Sequence, residues 1–142
     1  MFQLPPASSA ATKHDIVRTY AGIQCTWQGG YDPQMSCFRS DRKGYAGAVA
    51  RSYVSVYAVQ TDRLLFHRDQ PVRSPGAGTF NDKRVFQRES HGGITCAWTR
   101  TGGGAAICNR ADRHGYVVVV SRTGVSVANE RSQAVYVKNQ PA

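Results

Sequence analysis

The sequence predicts an all-β protein made of two tandem, pseudo-equivalent antiparallel meanders. The first observation behind this is an internal duplication. Gly22–Ala58 aligns with Gly93–Asn129 at a constant offset of 71 without a gap, and 15 of the 37 positions are identical. All four cysteines (Cys25/Cys96, Cys37/Cys108) and both tryptophans (Trp27/Trp98) are among them. The second is composition: 14 glycines, valine- and aromatic-rich runs, and leucine only at Leu4, Leu64 and Leu65. That is the usage of strands and turns, not of helices. The third is a period of two in Tyr45-Ala46-Gly47-Ala48-Val49-Ala50-Arg51, which suits a sheet with unlike faces.

About five strands per repeat follow. In the first repeat they are 23–27, 34–39, 45–51, 53–59 and 63–68. In the second they are 94–99, 105–110, 116–122, 125–129 and 133–138. Strands two and three are joined by Asp41-Arg42-Lys43-Gly44 and by Asp112-Arg113-His114-Gly115. Asp opening such a turn bonds its own backbone, and Gly closing it takes the left-handed conformation. Asp41 and Asp112 are therefore read as turn formers, not catalysts. The strand Val117–Val120 is apolar on both faces and is expected to be more buried than its counterpart.

Around these units we expect an extended arm (1–12), repeat one (13–71), a breaker-rich linker (72–82) and repeat two (83–142). Each repeat is near the lower size for a self-sufficient core, so the two should pack on each other, as a sandwich or a closed barrel.

Eleven residues separate Cys25 from Cys37, and the same number separates Cys96 from Cys108. Four cysteines allow three pairings. The duplication favours Cys25–Cys37 and Cys96–Cys108, one staple per unit, each joining neighbouring strands. A four-cysteine zinc site normally brings close pairs, which are absent. Disulfides imply an oxidising compartment: extracellular or periplasmic, or a virion. The N-terminal residues lack the apolar core of a signal peptide. Either a leader has been removed upstream or export does not use that route. No stretch approaches the ~20 apolar residues of a membrane span.

The net charge is +9, from 18 basic and 9 acidic residues, which favours anionic partners. The candidate binding set is the duplicated basic group Arg39/Arg110, Arg42/Arg113 and Arg51/Arg122, extended by Lys43 and His114. Under a pseudo-twofold these residues form two matching patches. Beside Tyr45, Tyr116, Trp27 and Trp98 they would hold carboxylates, sulfates or phosphates and stack on planar groups. In the competing reading the tryptophans are core anchors and the arginines solvate strand edges.

No catalytic constellation appears. The histidines (His14, His67, His91, His114) fit no metal motif, and Ser55 and Ser126 lie on strands without a nucleophile-elbow pattern. Gly102-Gly103-Gly104 sits in a hairpin and lacks the Lys-Ser/Thr ending of a phosphate loop. Its counterpart is Tyr31-Asp32-Pro33, so the repeats diverge in this loop, where specificity often resides. No cofactor is expected.

The resulting expectation is a non-catalytic, exported module that binds an acidic protein or an anionic polysaccharide. The alternative is a structural subunit of an extracellular assembly such as a virion or filament, with the N-terminal arm and the Gln-Pro tails as contacts for self-assembly. Nucleic-acid binding comes third: charge permits it, but no module signature supports it.

Overall fold

The structure, a computed structural model, describes residues 15–70, 84–100, 103–129 and 133–138. The arm (1–12), the linker (72–82) and the closing Gln140-Pro141 lie outside the described residues. Two six-stranded antiparallel meanders make up the fold. The first sheet contains β1 (Ile16–Tyr20), β2 (Ile23–Gln28), β3 (Gln34–Arg39), β4 (Tyr45–Ala50), β5 (Tyr53–Ala58) and β6 (Leu64–Asp69). The second contains β7 (Val85–His91), β8 (Ile94–Thr99), β9 (Ala105–Arg110), β10 (Val117–Ser121), β11 (Gly124–Ala128) and β12 (Gln133–Lys138). Neither sheet closes on itself, so the architecture is a sandwich. No α-helix occurs among the described residues, and so none long and apolar enough to cross a membrane.

Each meander has one strand more than the five expected. β1 and β7 precede the duplicated segment and join it through two-residue turns, Ala21-Gly22 and Gly92-Gly93, with all four residues at positive φ. Such turns match the twist of a hairpin. The duplication extends to irregularities: the β5–β6 pairing shifts register at Val56/Tyr57, and β11–β12 shifts at the equivalent Val127/Ala128.

The core lies between the sheets. Ile23, Cys25, Trp27, Met35, Cys37, Val49, Val54 and Val56 meet Ile94, Cys96, Trp98, Ala106, Cys108, Val118, Val120, Val125 and Val127. Contacts between the halves are reciprocal, as a twofold relation requires. The Trp27 indole donates to the Ile94 carbonyl (3.1 Å), and the Trp98 indole donates to the Ile23 carbonyl (3.3 Å). Positions that are each other's copies and also touch mark the pseudo-axis. Cys37 and Cys108 sulfurs are 3.5 Å apart. The Arg18 Nε lies 2.9 Å from Glu89 Oε1. A Cβ on Gly47 would overlap Val118 Cγ1.

Both expected disulfides are present, Cys25–Cys37 on β2–β3 and Cys96–Cys108 on β8–β9, with Cα–Cα distances of 4.1 Å. All four sulfurs lie within 4.8 Å of one another, so the two staples stack face to face at the centre.

The burial expectation is reversed. β4 is buried throughout from Ala46 to Ala50, whereas β10 alternates, with Val117, Val119 and Ser121 part-exposed. The outward residues of β4 are alanines. Their short methyls sit beside larger partners, Tyr57 next to Ala46 and Gln34 next to Ala50. The outward valines of β10 protrude further into solvent. Burial here follows side-chain length relative to neighbours, not hydrophobicity.

At the β1/β7 margin Glu89 accepts hydrogen bonds from Arg18 and from His91, whose ring stands edge-on to Trp27. Burial pushes the Glu89 carboxyl up, but the hydrogen bonds from His91 and Arg18 outweigh it and hold it below its ordinary value of 4.5. A carboxyl depressed in the folded state adds stability above its unfolded pKa, which is lost as pH falls through the folded value. Urea midpoints are therefore expected to fall as pH drops below 4.5. Glu89→Gln should lower stability at neutral pH and flatten that dependence. An unchanged pH profile in the variant would show that the cluster contributes nothing to acid sensitivity.

Candidate functional site: two arginine clefts across the pseudo-axis

The β3–β4 and β9–β10 turns are built alike. Asp41 Oδ1 accepts the Lys43 amide (3.0 Å) while Oδ2 takes Arg39 Nη2 (2.5 Å). Asp112 does the same with the His114 amide (3.0 Å) and Arg110 (2.5 Å). Gly44 and Gly115 have φ of 82° and 88°, the left-handed closure expected from sequence. Arg42 and Arg113 also sit at positive φ (63° and 65°), a conformation unfavourable for a side chain and held by amide bonds to the Arg39 and Arg110 carbonyls.

These interactions set the protonation of both aspartates. At Asp41 the Arg39 hydrogen bond leads, followed by the Lys43 amide, and the carboxyl lies below its ordinary value. At Asp112 burial is the largest influence and raises it. The His114 amide and Arg110 together overcome that, and the net direction is again downward.

The turns are completed from the other repeat. Arg39 ends the core-facing row Met35, Cys37, Arg39, and Arg51 follows Gly47 and Val49 in the same alternation. At the end of such a row a long side chain leaves the core and reaches the opposing sheet. Arg51 lies over Gly93, its guanidinium 3.4 Å from where a Cβ would stand, and Arg122 lies over Gly22 at 3.6 Å. Two clefts result. Arg51, Gly93, Arg110, Ala111 and Asp112 line one of about 350 Å³. Gly22, Arg39, Ser40, Asp41 and Arg122 line its twin, of about 50 Å³.

Four of the eight candidate residues are thus brought together in pairs: Arg51 with Arg110, and Arg122 with Arg39. Each pair spans both repeats. Arg42, Lys43, Arg113 and His114 are exposed at the turn tips and line neither cleft. The stacking role considered for the tryptophans is corrected. Trp27 is 3 % and Trp98 0 % exposed, and both indoles are spent on carbonyls of the other sheet, so they are core anchors. Tyr116 is buried and Tyr45 half-buried. Ser55 pairs with the outward Ala48 but is covered, at 6 % exposure.

The diverged loops tie the clefts to their surroundings. A Cβ at Gly92 would lie 2.8 Å from Pro33 Cβ, and one at Gly104 would lie 2.8 Å from Ala21 Cβ. These are equivalent contacts with the glycine on opposite partners. Gly103 supports Arg122, whose Cδ is 3.2 Å from where a Gly103 Cβ would stand. Its counterpart Asp32 instead accepts the Ser52 hydroxyl (3.0 Å).

Sequence reasoning missed Gln70, which is buried and joins the repeats. Its Nε2 donates to the Ala50 carbonyl (2.5 Å) and its Oε1 accepts the Tyr116 amide (3.0 Å). The approach leaves no room for a side chain at Gly115.

In comparisons with known proteins no family model matches the chain, and no match was found among curated proteins or solved structures.

Proposed function

We propose that this protein is a non-catalytic, exported module that binds an acidic macromolecule through its two arginine clefts. One observation carries the reading: the same Arg-Arg-Asp constellation is built twice, each time from both repeats. Guanidinium groups at the rim of a cleft are suited to charge-assisted hydrogen bonds with carboxylate, sulfate or phosphate oxygens. With one aspartate set against two arginines, each cleft keeps a net positive charge, and the +9 chain adds long-range attraction. The two disulfides suggest an oxidising, extracellular-type environment. Export to that environment is part of the proposal.

The test is retention on immobilised dextran sulfate, a generic polyanion, over a salt gradient. Arg51→Glu with Arg122→Glu is expected to weaken retention strongly and flatten its salt dependence, because fewer counterions are then released. Arg42→Glu with Arg113→Glu, on the tips beside the clefts, should weaken it less. Retention unaffected by either pair would discard the duplicated basic set as the contact surface.

The assembly reading has one observation in its favour. Among the described residues the sheets end in edge strands with no further partner, and Leu64 on β6 and Tyr136 on β12 are 58 % and 53 % exposed. Particle size separates the two readings: a monodisperse monomer supports the module, and a large symmetric particle supports the subunit.

A further inference from the structure

The two clefts are equivalent by duplication but not by size, and their chemistry is more selective than positive charge alone. In the larger cleft Arg51 is exposed and makes no ion pair among the described residues, whereas Arg110 is committed to Asp112. The Arg110 side chain is only 15 % exposed and that of Asp112 47 %. The cleft therefore presents a donor-only guanidinium from Arg51 and, in the same lining, a carboxylate from Asp112 that accepts hydrogen bonds and cannot donate when ionised. A complementary ligand places an anionic group on Arg51 and a hydroxyl or amine donor on Asp112.

That requirement sorts the polyanions. A phosphate- or sulfate-dense chain sets a second negative charge against Asp112, which costs affinity. The ionised acidic side chain of a protein carries acceptors only, and any donor must come from the surrounding chain at no fixed position. A uronic acid residue carries its carboxylate and neighbouring hydroxyls on one ring. The volume agrees: about 350 Å³ lies in the range of small-molecule sites, while 50 Å³ in the twin holds a few waters at most.

Resting on the binding-module reading above, we infer that the Arg51–Arg110–Asp112 cleft is the recognition subsite for a carboxylated sugar of an acidic polysaccharide, and that its twin around Arg122 is not. Duplication supplied both copies. Divergence of the β2–β3 and β8–β9 loops then left the copies different, with Gly103 packed on Arg122 and Asp32 turned to Ser52.

The experiment is calorimetric titration of the full chain with an oligogalacturonate. A neutral galacto-oligosaccharide and polyglutamate are run alongside, and retention on dextran sulfate, which carries no carboxylate, serves as the generic polyanion control. Arg51→Gln and Arg122→Gln are compared after matching their melting curves to the parent, since both residues are exposed and neither is packed in the core. The expected result is oligogalacturonate binding that weakens about tenfold or more in Arg51→Gln, the scale of one lost charge-assisted hydrogen bond, and stays within about twofold in Arg122→Gln. The neutral sugar should not bind. Equal losses in both variants, or none in either, would overturn the asymmetry. Polyglutamate binding as tightly, with the same dependence on Arg51, would overturn the sugar class and leave the basic-module reading standing. Absence of oligogalacturonate binding by the parent chain would overturn the subsite, and absence of dextran sulfate retention as well would overturn both.

Discussion

Replacing Cys25 and Cys37 together by alanine is expected to lower the unfolding free energy by about 3 kcal/mol, and the same holds for Cys96 with Cys108. Each disulfide closes a short loop, with a sequence separation of 12, and the chain-entropy argument puts such a loop near that value. Against a typical total of ~5–15 kcal/mol, one staple is a large share. The staples are also packing elements. All four cysteines are at most 1 % exposed, and Cys37 touches both Cys108 and Met35 Sδ (3.0 Å). Removing both pairs should therefore cost a different amount from the sum of the two, because groups in contact couple. Urea unfolding of the two paired variants and their combination measures this. A loss below about 1 kcal/mol for a single pair would show the staples to be dispensable. The stacking has a covalent corollary. With Cys25→Ala and Cys96→Ala, the remaining Cys37 and Cys108, 3.5 Å apart, are expected to oxidise to a bond between the sheets. An alkylation mass map showing two free thiols under air would refute it.

The second large effect is expected at Gly47. A Cβ there would overlap Val118 Cγ1 and stand 3.1 Å from Val120 Cγ2 and 3.2 Å from Val125 Cγ1. Every one of these valines is fully buried, so the site cannot relax outward. Gly47→Ala should destabilise by about 1–3 kcal/mol through overpacking, and Gly47→Val by more. Position 118 is the duplicate of position 47, and the two meet on the pseudo-axis. The exchanged pair Gly47→Val with Val118→Gly should therefore recover most of what Gly47→Val alone loses. A double-mutant cycle in urea gives the coupling. If the two losses simply add, the contact does not determine the glycine.

Much of the fold was legible in the sequence because the duplication aligns without a gap and the turn chemistry is strong. The Asp-to-Gly turns, the local disulfides and ten strands all follow from residues close together in the chain. β1 was missed because Ile16–Tyr20 ends in Ala21-Gly22, where an alanine occupies a left-handed position usually given to Gly or Asn. β7 had a usable signal in Gly92-Gly93, placed immediately before the repeated Ile94. The relative burial of β4 and β10 was misjudged from hydrophobicity, since alanine methyls are hidden by taller neighbours.

The candidate arginines were visible as a recurring type and spacing, but their grouping was not. That Arg51 shares a cleft with Arg110 depends on how the two sheets oppose, and no local pattern encodes that. The pairing of Arg18 with Glu89 was hidden for a related reason. Those positions are equivalent and adjacent in space, yet they carry opposite charges, so a search for identity passes over them.

This opposition of copies bears on how the two halves would behave as separate chains. A homodimer of the first half would place Arg18 against Arg18 and leave a void between two Gly47 residues. A homodimer of the second would oppose Glu89 with Glu89 and crowd Val118 against Val118. Mixing the halves restores the attractive charge pair and the valine-in-glycine fit. Covalent tandem linkage thus released the axis from self-complementarity and let each position there specialise. The molecule carries an obligate heterodimer's specificity inside one polypeptide.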